Sequence, residues 1–329
     1  MSVYEKGKTK IKSTIQNVVG STQLQDDVTE IRSMVDKMAQ QMQSNLEVLD
    51  GTVYSRYLMP IDYKPSRDLA PRWGWGKPAL KSVENIFAEK DASYIKVLHE
   101  LRHLAPYYEK IPKKFSLDTL PNPGWEGIAV SPVDLALLYY FMTAYKPKTY
   151  LEIGSGGTTC FARRAIQDHS LATKIISIDP DPRAKIESIC DQVFFKGLEN
   201  VDLSIFSSLE AGDIVFMDGS HRTFMNSDVT VFMLEVLPHL KPGVIVHIHD
   251  ILLPYDYPDN FKNWYWNEQY MVALYLIAAK ERIDVIFPSA YVTNDEKFAA
   301  ELHNPLFESL WGHSREGGSI WFTHSEDKK

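Results

Sequence analysis

Thr149-Tyr150-Leu151-Glu152-Ile153-Gly154-Ser155-Gly156-Gly157-Thr158-Thr159 is the stretch that decides the fold. A β-branched, apolar run leads directly into glycines, and Cys160 to Asp168 then reads as a helix. A glycine turn between strand and helix lets a ligand lie against bare backbone at a helix N-terminus. Two details narrow the ligand. The dinucleotide fingerprint wants its third glycine at position 159, where Thr159 stands, so a nicotinamide cofactor fits poorly. Glu152, two places before the first glycine, is a carboxylate suited to a positively charged ligand such as an amino-acid ammonium or a sulfonium.

Downstream, short β-branched runs alternate with helical stretches. The runs are Lys174 to Asp179, Val193 to Lys196, Asp213 to Met217, Val244 to His249, Asp284 to Phe287 and Ser319 to Thr323. Asn226 to Leu237 and Trp266 to Ala279 read as helices between them. That rhythm means a parallel sheet covered on both faces. The expected class is therefore α/β, a Rossmann-like, doubly wound sheet of seven strands. The last strand follows Gly317-Gly318 with no helix behind it, so it should enter antiparallel.

In such a sheet the C-terminal strand ends form one ligand-binding edge. Asp179 ends the second strand about twenty residues past the glycine turn, placed to accept both ribose hydroxyls. Its alternative role is as a helix cap ahead of Pro182. Gly197-Leu198-Glu199-Asn200, after the third strand, is the expected adenine-edge contact. The fourth strand ends Asp218-Gly219-Ser220-His221 and the fifth His247-Ile248-His249-Asp250. Asp218, His221 and Asp250 should thus converge on one cleft. Two aspartates suit a hard cation such as Mg²⁺, and a histidine titrating near neutrality suits a general base. A capping imidazole bonded to Asp218 is the plainer reading of His221, and His247 and His249 read equally well as packed side chains.

Upstream the pattern differs. From Leu24 to Leu49, Leu24, Val28, Ile31, Val35, Met38, Met42 and Leu49 alternate steps of four and three, with Asn45 in the remaining slot. This heptad stripe serves either one amphipathic helix lying on the next domain or a coiled coil that pairs two copies into a homodimer. Residues 51–130 are rich in aromatics, Pro and Gly, including Tyr54, Tyr57, Tyr63 and Trp73-Gly74-Trp75-Gly76, with helices expected at Leu80 to Ala88 and Ala92 to Leu104. The chain divides accordingly into 1–50 (heptad helix), 51–130 (accessory or lid region) and 131–329 (the sheet domain).

Composition limits the function. The 329 residues are 44% hydrophobic and 24% charged, a globular balance. The formal charge of -8 argues against nucleic acid or an anionic membrane as partner. Two cysteines, Cys160 and Cys190, exclude a disulfide scaffold and fit a reducing cytoplasm. Leu135 to Tyr145, the longest apolar run, is too short to span a bilayer.

With these residues in hand, the chain resembles class I S-adenosylmethionine-dependent methyltransferases from about Ser131 to Thr323. Within them it is similar to the metal-dependent small-molecule and sugar O-methyltransferases that share the Asp-Gly-Ser-His and His-Asp strand ends. The resemblance implies that Glu152, Gly154, Ser155 and Gly156 serve the methionine end of the cofactor, Asp179 the ribose, and Leu198 and Asp218 the rest of the cofactor site. It further implies Asp218 and Asp250 as ligands of a Mg²⁺, and His221, assisted by Asp218, as catalytic base toward a hydroxyl on a carbohydrate or small-molecule natural product. Leu237 to Gly243, Asp250 to Pro258 and Trp266-Asn267-Glu268-Gln269-Tyr270 match the same branch. Rival readings are a nicotinamide-dependent oxidoreductase and a non-catalytic scaffold assembled through the heptad helix.

Overall fold

The computed structural model describes residues 27–39, 70–116, 122–182, 185–303 and 316–325. Contacts divide the chain into two compact units, Met1–Arg67 and Asp68–Lys329. In the first, the described residues form one helix, α1 (27–39). It carries Val28, Ile31, Val35 and Met38 of the expected stripe, all exposed, Met38 to 67%. Leu24, Met42, Asn45 and Leu49 lie outside the described residues, as do Tyr54, Tyr57 and Tyr63.

The second unit is built on seven strands: β1 (Thr149–Ile153), β2 (Lys174–Ile178), β3 (Gln192–Phe194), β4 (Ile214–Met217), β5 (Ile245–His249), β6 (Ile283–Pro288) and β7 (Ser319–His324). Their order is β3-β2-β1-β4-β5-β7-β6. β1 to β5 pair in parallel, and β7 runs antiparallel to both β5 and β6. This is the doubly wound, Rossmann-like sheet expected from the strand–helix rhythm, with its antiparallel last strand. β4 and β5 are buried at every position, as strands covered on both faces must be.

Helices α2 (Lys81–Ala88), α3 (Asp91–His103), α4 (Pro132–Tyr145), α5 (Gly157–His169), α6 (Asp228–Val231), α7 (Glu268–Ala278) and α8 (Ser289–Asn294) surround it. Ser131 caps α4 by accepting from the Asp134 N–H at 3.1 Å, with Pro132 in the first turn where no N–H is needed. α4 is apolar nearly all round and buried accordingly. Asp134, also buried, accepts from Ser319 Oγ at 2.5 Å and Gly318 N at 2.8 Å, bolting α4 to the start of β7.

One element differs from expectation. Asn226 to Leu237 is not one α-helix: α6 opens into a π-helical turn, Phe232–Val236, and then a 3₁₀ turn, Leu237–His239. Pro238 lacks the N–H that would continue the α ladder, so the hydrogen bonding changes register ahead of it. Residues 70–116 pack onto the sheet. α2 and α3 bury Val83, Phe87, Tyr94, Leu98 and Leu101 in the same core as Val246, Phe287 and Trp321 of the sheet. Among the described residues no helix is long and apolar enough to cross a membrane.

Candidate active site

The glycine turn is shaped by the strand next to it. Gly154 has φ +79°, and a Cβ there would lie 1.9 Å from the Asp218 carbonyl oxygen. Gly154 N donates to Ile178 O and Asp218 N to Ile153 O, so β2, β1 and β4 end together at this point. A Cβ on Gly156 would meet nothing within 4 Å. The backbone at Gly156, just ahead of α5, therefore borders open space, while Gly157 at its head packs against Ile128; the open side fits a ligand laid against a helix N-terminus.

Glu152 lies beneath this turn. It is fully buried, and its carboxylate accepts from Tyr150 Oη at 3.1 Å and from Thr158 Oγ1 and Thr159 Oγ1 at 2.5 Å each. Thr159 also accepts from Gly156 N at 2.9 Å. The two threonines that replace further glycines thus tie the turn to the acid below it. Burial lifts the Glu152 carboxyl to about 8, against the lowering effect of the three hydroxyls.

Asp179 accepts from Ser155 N at 2.7 Å, Ser155 Oγ at 3.0 Å and, through its other oxygen, Asp181 N at 2.8 Å. It is half-buried beside the turn. Leu198 is buried in a 3₁₀ turn, Leu198–Asn200, past β3, while Glu199 accepts from Asn200 Nδ2.

On the other side of Asp218, three segments meet. Ligand atoms of Asp218, His221 and Asp250 lie within 4.8 Å of one another. His221 Nε2 stands 3.1 Å from Asp250 Oδ2 and 3.5 Å from Asp218 Oδ1. His221 and Asp250 both hold left-handed backbone, φ +59° and +53°, a strain that persists only where surroundings enforce it. The enforcement is visible at His221, whose carbonyl accepts from Asn267 N at 3.0 Å and Glu268 N at 3.3 Å. Burial works against charge on Asp218, but His249 and His221 outweigh it and hold the carboxyl down at about 2. Burial likewise opposes a charged His221; its bonds to Asp218 and Glu268 and the Asp250 charge lift it well above the ordinary range, a lift that a cation on the two aspartates would reduce. The two carboxylates, facing one gap beside the imidazole, fit a divalent cation.

The neighbouring histidines separate. His247 is packed, stacked on Phe216 at 3.9 Å and against Trp321 at 4.4 Å, and burial pushes it well below the ordinary range. His249 is also buried but faces acids: burial lowers it, and Asp250, Asp218 and Asp134 more than restore it.

Glu268, fully buried in the first turn of α7, bonds through Oε2 to His221 Nδ1 at 2.9 Å. In the sequence it stands only within the stretch Trp266 to Tyr270 that resembles the O-methyltransferase branch, with no role of its own, because an acid in the first turn of a helix is ordinary. Its neighbours have related tasks. Asn267 Oδ1 accepts from Thr223 N at 2.6 Å, Gln269 Oε1 from Leu252 N at 3.1 Å, and Tyr270 Oη donates to Asp256 Oδ1 at 2.7 Å. Asp256 also accepts from Arg72 N at 2.6 Å, and its carbonyl accepts from Trp75 Nε1 at 2.9 Å. A ladder of rings leads outward from the site: His221 to Trp266 at 4.3 Å, Trp266 to Trp264 at 4.6 Å and Trp264 to Phe261 at 4.4 Å. Trp264 is 43% exposed.

Residues 151–251, the segment that supplies the glycine turn and both strand-end acids, match the family model described as a methyltransferase domain. The match likens this segment, not the whole chain, to a methyltransferase domain. No curated protein matches the chain. Solved structures similar to it include cmcI with Mg and S-adenosylmethionine, at 16% identity over 67% of this chain and 84% of that one, TM-score 0.39. An O-methyltransferase from Bacillus cereus in complex with S-adenosylhomocysteine is 15% identical over 75% and 96%, TM-score 0.39. The O-methyltransferase TomG from Streptomyces achromogenes, in complex with S-adenosylmethionine, is 14% identical over 67% and 95%, TM-score 0.39. At such identities and TM-scores these likenesses assign neither a substrate nor a residue role to this chain.

Proposed function

We propose that the protein transfers a methyl group from S-adenosylmethionine to a hydroxyl of a sugar or small-molecule natural product, with a divalent cation such as Mg²⁺ at the acceptor. The observation that carries this reading is the meeting of Asp218, His221 and Asp250 beside the glycine turn. The turn at Gly154 to Gly156, with Ser155 and Asp179 beside it and Leu198 past β3, would hold the cofactor; Asp218 and Asp250 would hold the cation. When bound, the cofactor supplies an electrophilic methyl and the cation lowers the pKa of a nearby hydroxyl. The chain's own part is placement and proton removal. His221 Nε2 takes the hydroxyl proton, and Asp218 and Asp250 orient the acceptor oxygen. The exposed indole of Trp264, with Trp266 behind it, offers a flat apolar surface for one face of a sugar or aglycone. We further propose that α1 pairs with its copy in a second chain, covering the apolar stripe of Val28, Ile31, Val35 and Met38.

Calorimetry with S-adenosylmethionine and with S-adenosylhomocysteine tests the first half: micromolar binding supports it, and binding of neither ends it. Incubation with labelled cofactor and a panel of glycans and natural-product extracts tests the second. A mass gain of one methylene on a hydroxyl is expected, and methylation confined to nitrogen or carbon would refute the oxygen assignment.

A further inference from the structure

We infer that Glu268 is a positioning residue for His221: it keeps a hydrogen on Nδ1, so that Nε2 alone faces the acceptor site. The inference rests on the proposed role of His221 as proton acceptor. Three observations carry it. The carboxylate reaches Nδ1 at 2.9 Å from a different element, α7, while Nε2 is the nitrogen turned toward Asp250 and Asp218. Glu268 is fully buried and its Oε1 has no hydrogen-bond partner. A buried carboxylate with an unsatisfied oxygen is costly, and a neutral amide would serve a merely structural contact better. The backbone that carries the ring is clamped from the same place, since the backbone N–H groups of Asn267 and Glu268 hold the His221 carbonyl. One helix start thus fixes backbone, ring and tautomer together.

The charge has its own use. In the transfer, the acceptor O–H bond breaks and its proton moves to Nε2. The freed oxygen pair forms the bond to the methyl carbon, and the pair of the broken C–S bond stays on sulfur. His221 becomes an imidazolium. With Asp218 and Asp250 committed to a cation, Glu268 supplies the remaining carboxylate in direct contact with that ring among the described residues. A carboxylate behind a base histidine acts in this way in other folds, holding the tautomer and stabilising the imidazolium without itself taking the proton.

The test uses the full-length protein loaded with S-adenosylhomocysteine and Mg²⁺, with ¹⁵N-labelled histidine rings, and the His221 signals assigned by their loss in His221→Gln. The wild-type ring should show an Nδ1-bound proton far downfield of the amide envelope, and Glu268→Leu should abolish it. Glu268→Leu should also lower kcat toward the acceptor found by labelled methyl transfer by about two to four orders of magnitude. Its affinity for S-adenosylmethionine should stay within about threefold of wild type, a difference well under 1.4 kcal/mol. A wild-type ring without hydrogen on Nδ1, or full turnover in a folded Glu268→Leu, overturns the inference. The wild-type spectrum decides even if the variant does not fold. Failure of the cofactor to bind would instead strike the functional proposal, and it leaves the ring spectrum readable.

Discussion

Gly154 and Glu152 show how much chemistry two residues of one turn carry. Alanine at 154 would place a methyl inside the Asp218 carbonyl and hold a left-handed φ that L-residues resist by about 1–2 kcal/mol. Gly154→Ala should therefore weaken S-adenosylmethionine binding about tenfold or more in calorimetry, with a lower melting temperature. For Glu152, the folded carboxyl sits at about 8 against an ordinary 4.5. Between those values the native state holds a proton that the unfolded chain has released. Stability should thus be highest below pH 4.5 as far as this group is concerned, and fall by up to about 1.4 kcal/mol per pH unit as the pH rises to about 8. Glu152→Gln should flatten that slope in urea unfolding of the cofactor-free protein. His221→Ala should cut turnover by about two to four orders of magnitude while leaving cofactor affinity nearly intact; unchanged turnover would remove His221 from the mechanism. Asp218, His221 and Asp250 were legible as a convergent set because strand ends of a parallel sheet share an edge. Glu268 was not, because its partner lies 47 positions away in the chain and its own position looks like routine helix chemistry.

At the scale of elements, α7 is the organiser. Its first residues reach the loop after β4, the loop after β5 and, through Tyr270 and Asp256, the segment at Arg72 to Trp75. Asn267→Ala should leave the Thr223 N–H without its side-chain acceptor and loosen the His221 loop. Its expected signature is a loss of about 1–3 kcal/mol in stability together with faster hydrogen exchange at Thr223. The sequence predicted α7 as the helical stretch Trp266 to Ala279 between two strands, yet it could not show that the first turn points into three distant loops. Periodicity reports which face meets the core, and it is silent on the polar contacts of a helix end. α1 is the opposite case: the heptad pattern named its face, and Ile31 and Val35 stand 61% and 58% exposed. Ile31→Asp combined with Val35→Asp should convert a dimer to a monomer in sedimentation velocity. A wild-type protein that is already monomeric would defeat the pairing proposal.

For the molecule as a whole, the sheet was legible because short apolar strands alternate with helical stretches, which leaves few ways to wind it. The role of residues 70–116 was less so, since aromatic and Pro-rich sequence looks the same in a lid as in a core layer. Exhaustive chelation, followed by readdition of Mg²⁺, should abolish and restore methyl transfer; full activity without metal would leave Asp218 and Asp250 as orienting groups alone. The order β5-β7-β6 has one more consequence. Of the seven described strands the one made last occupies an interior slot, and Asp134, near the front of the domain, waits for Ser319 and Gly318 to arrive. During synthesis the open flank of β5 must stay unmated until Ser319–His324 has left the ribosome. Nascent chains stalled before residue 316 should therefore remain sticky and protease-sensitive, however complete their earlier strands.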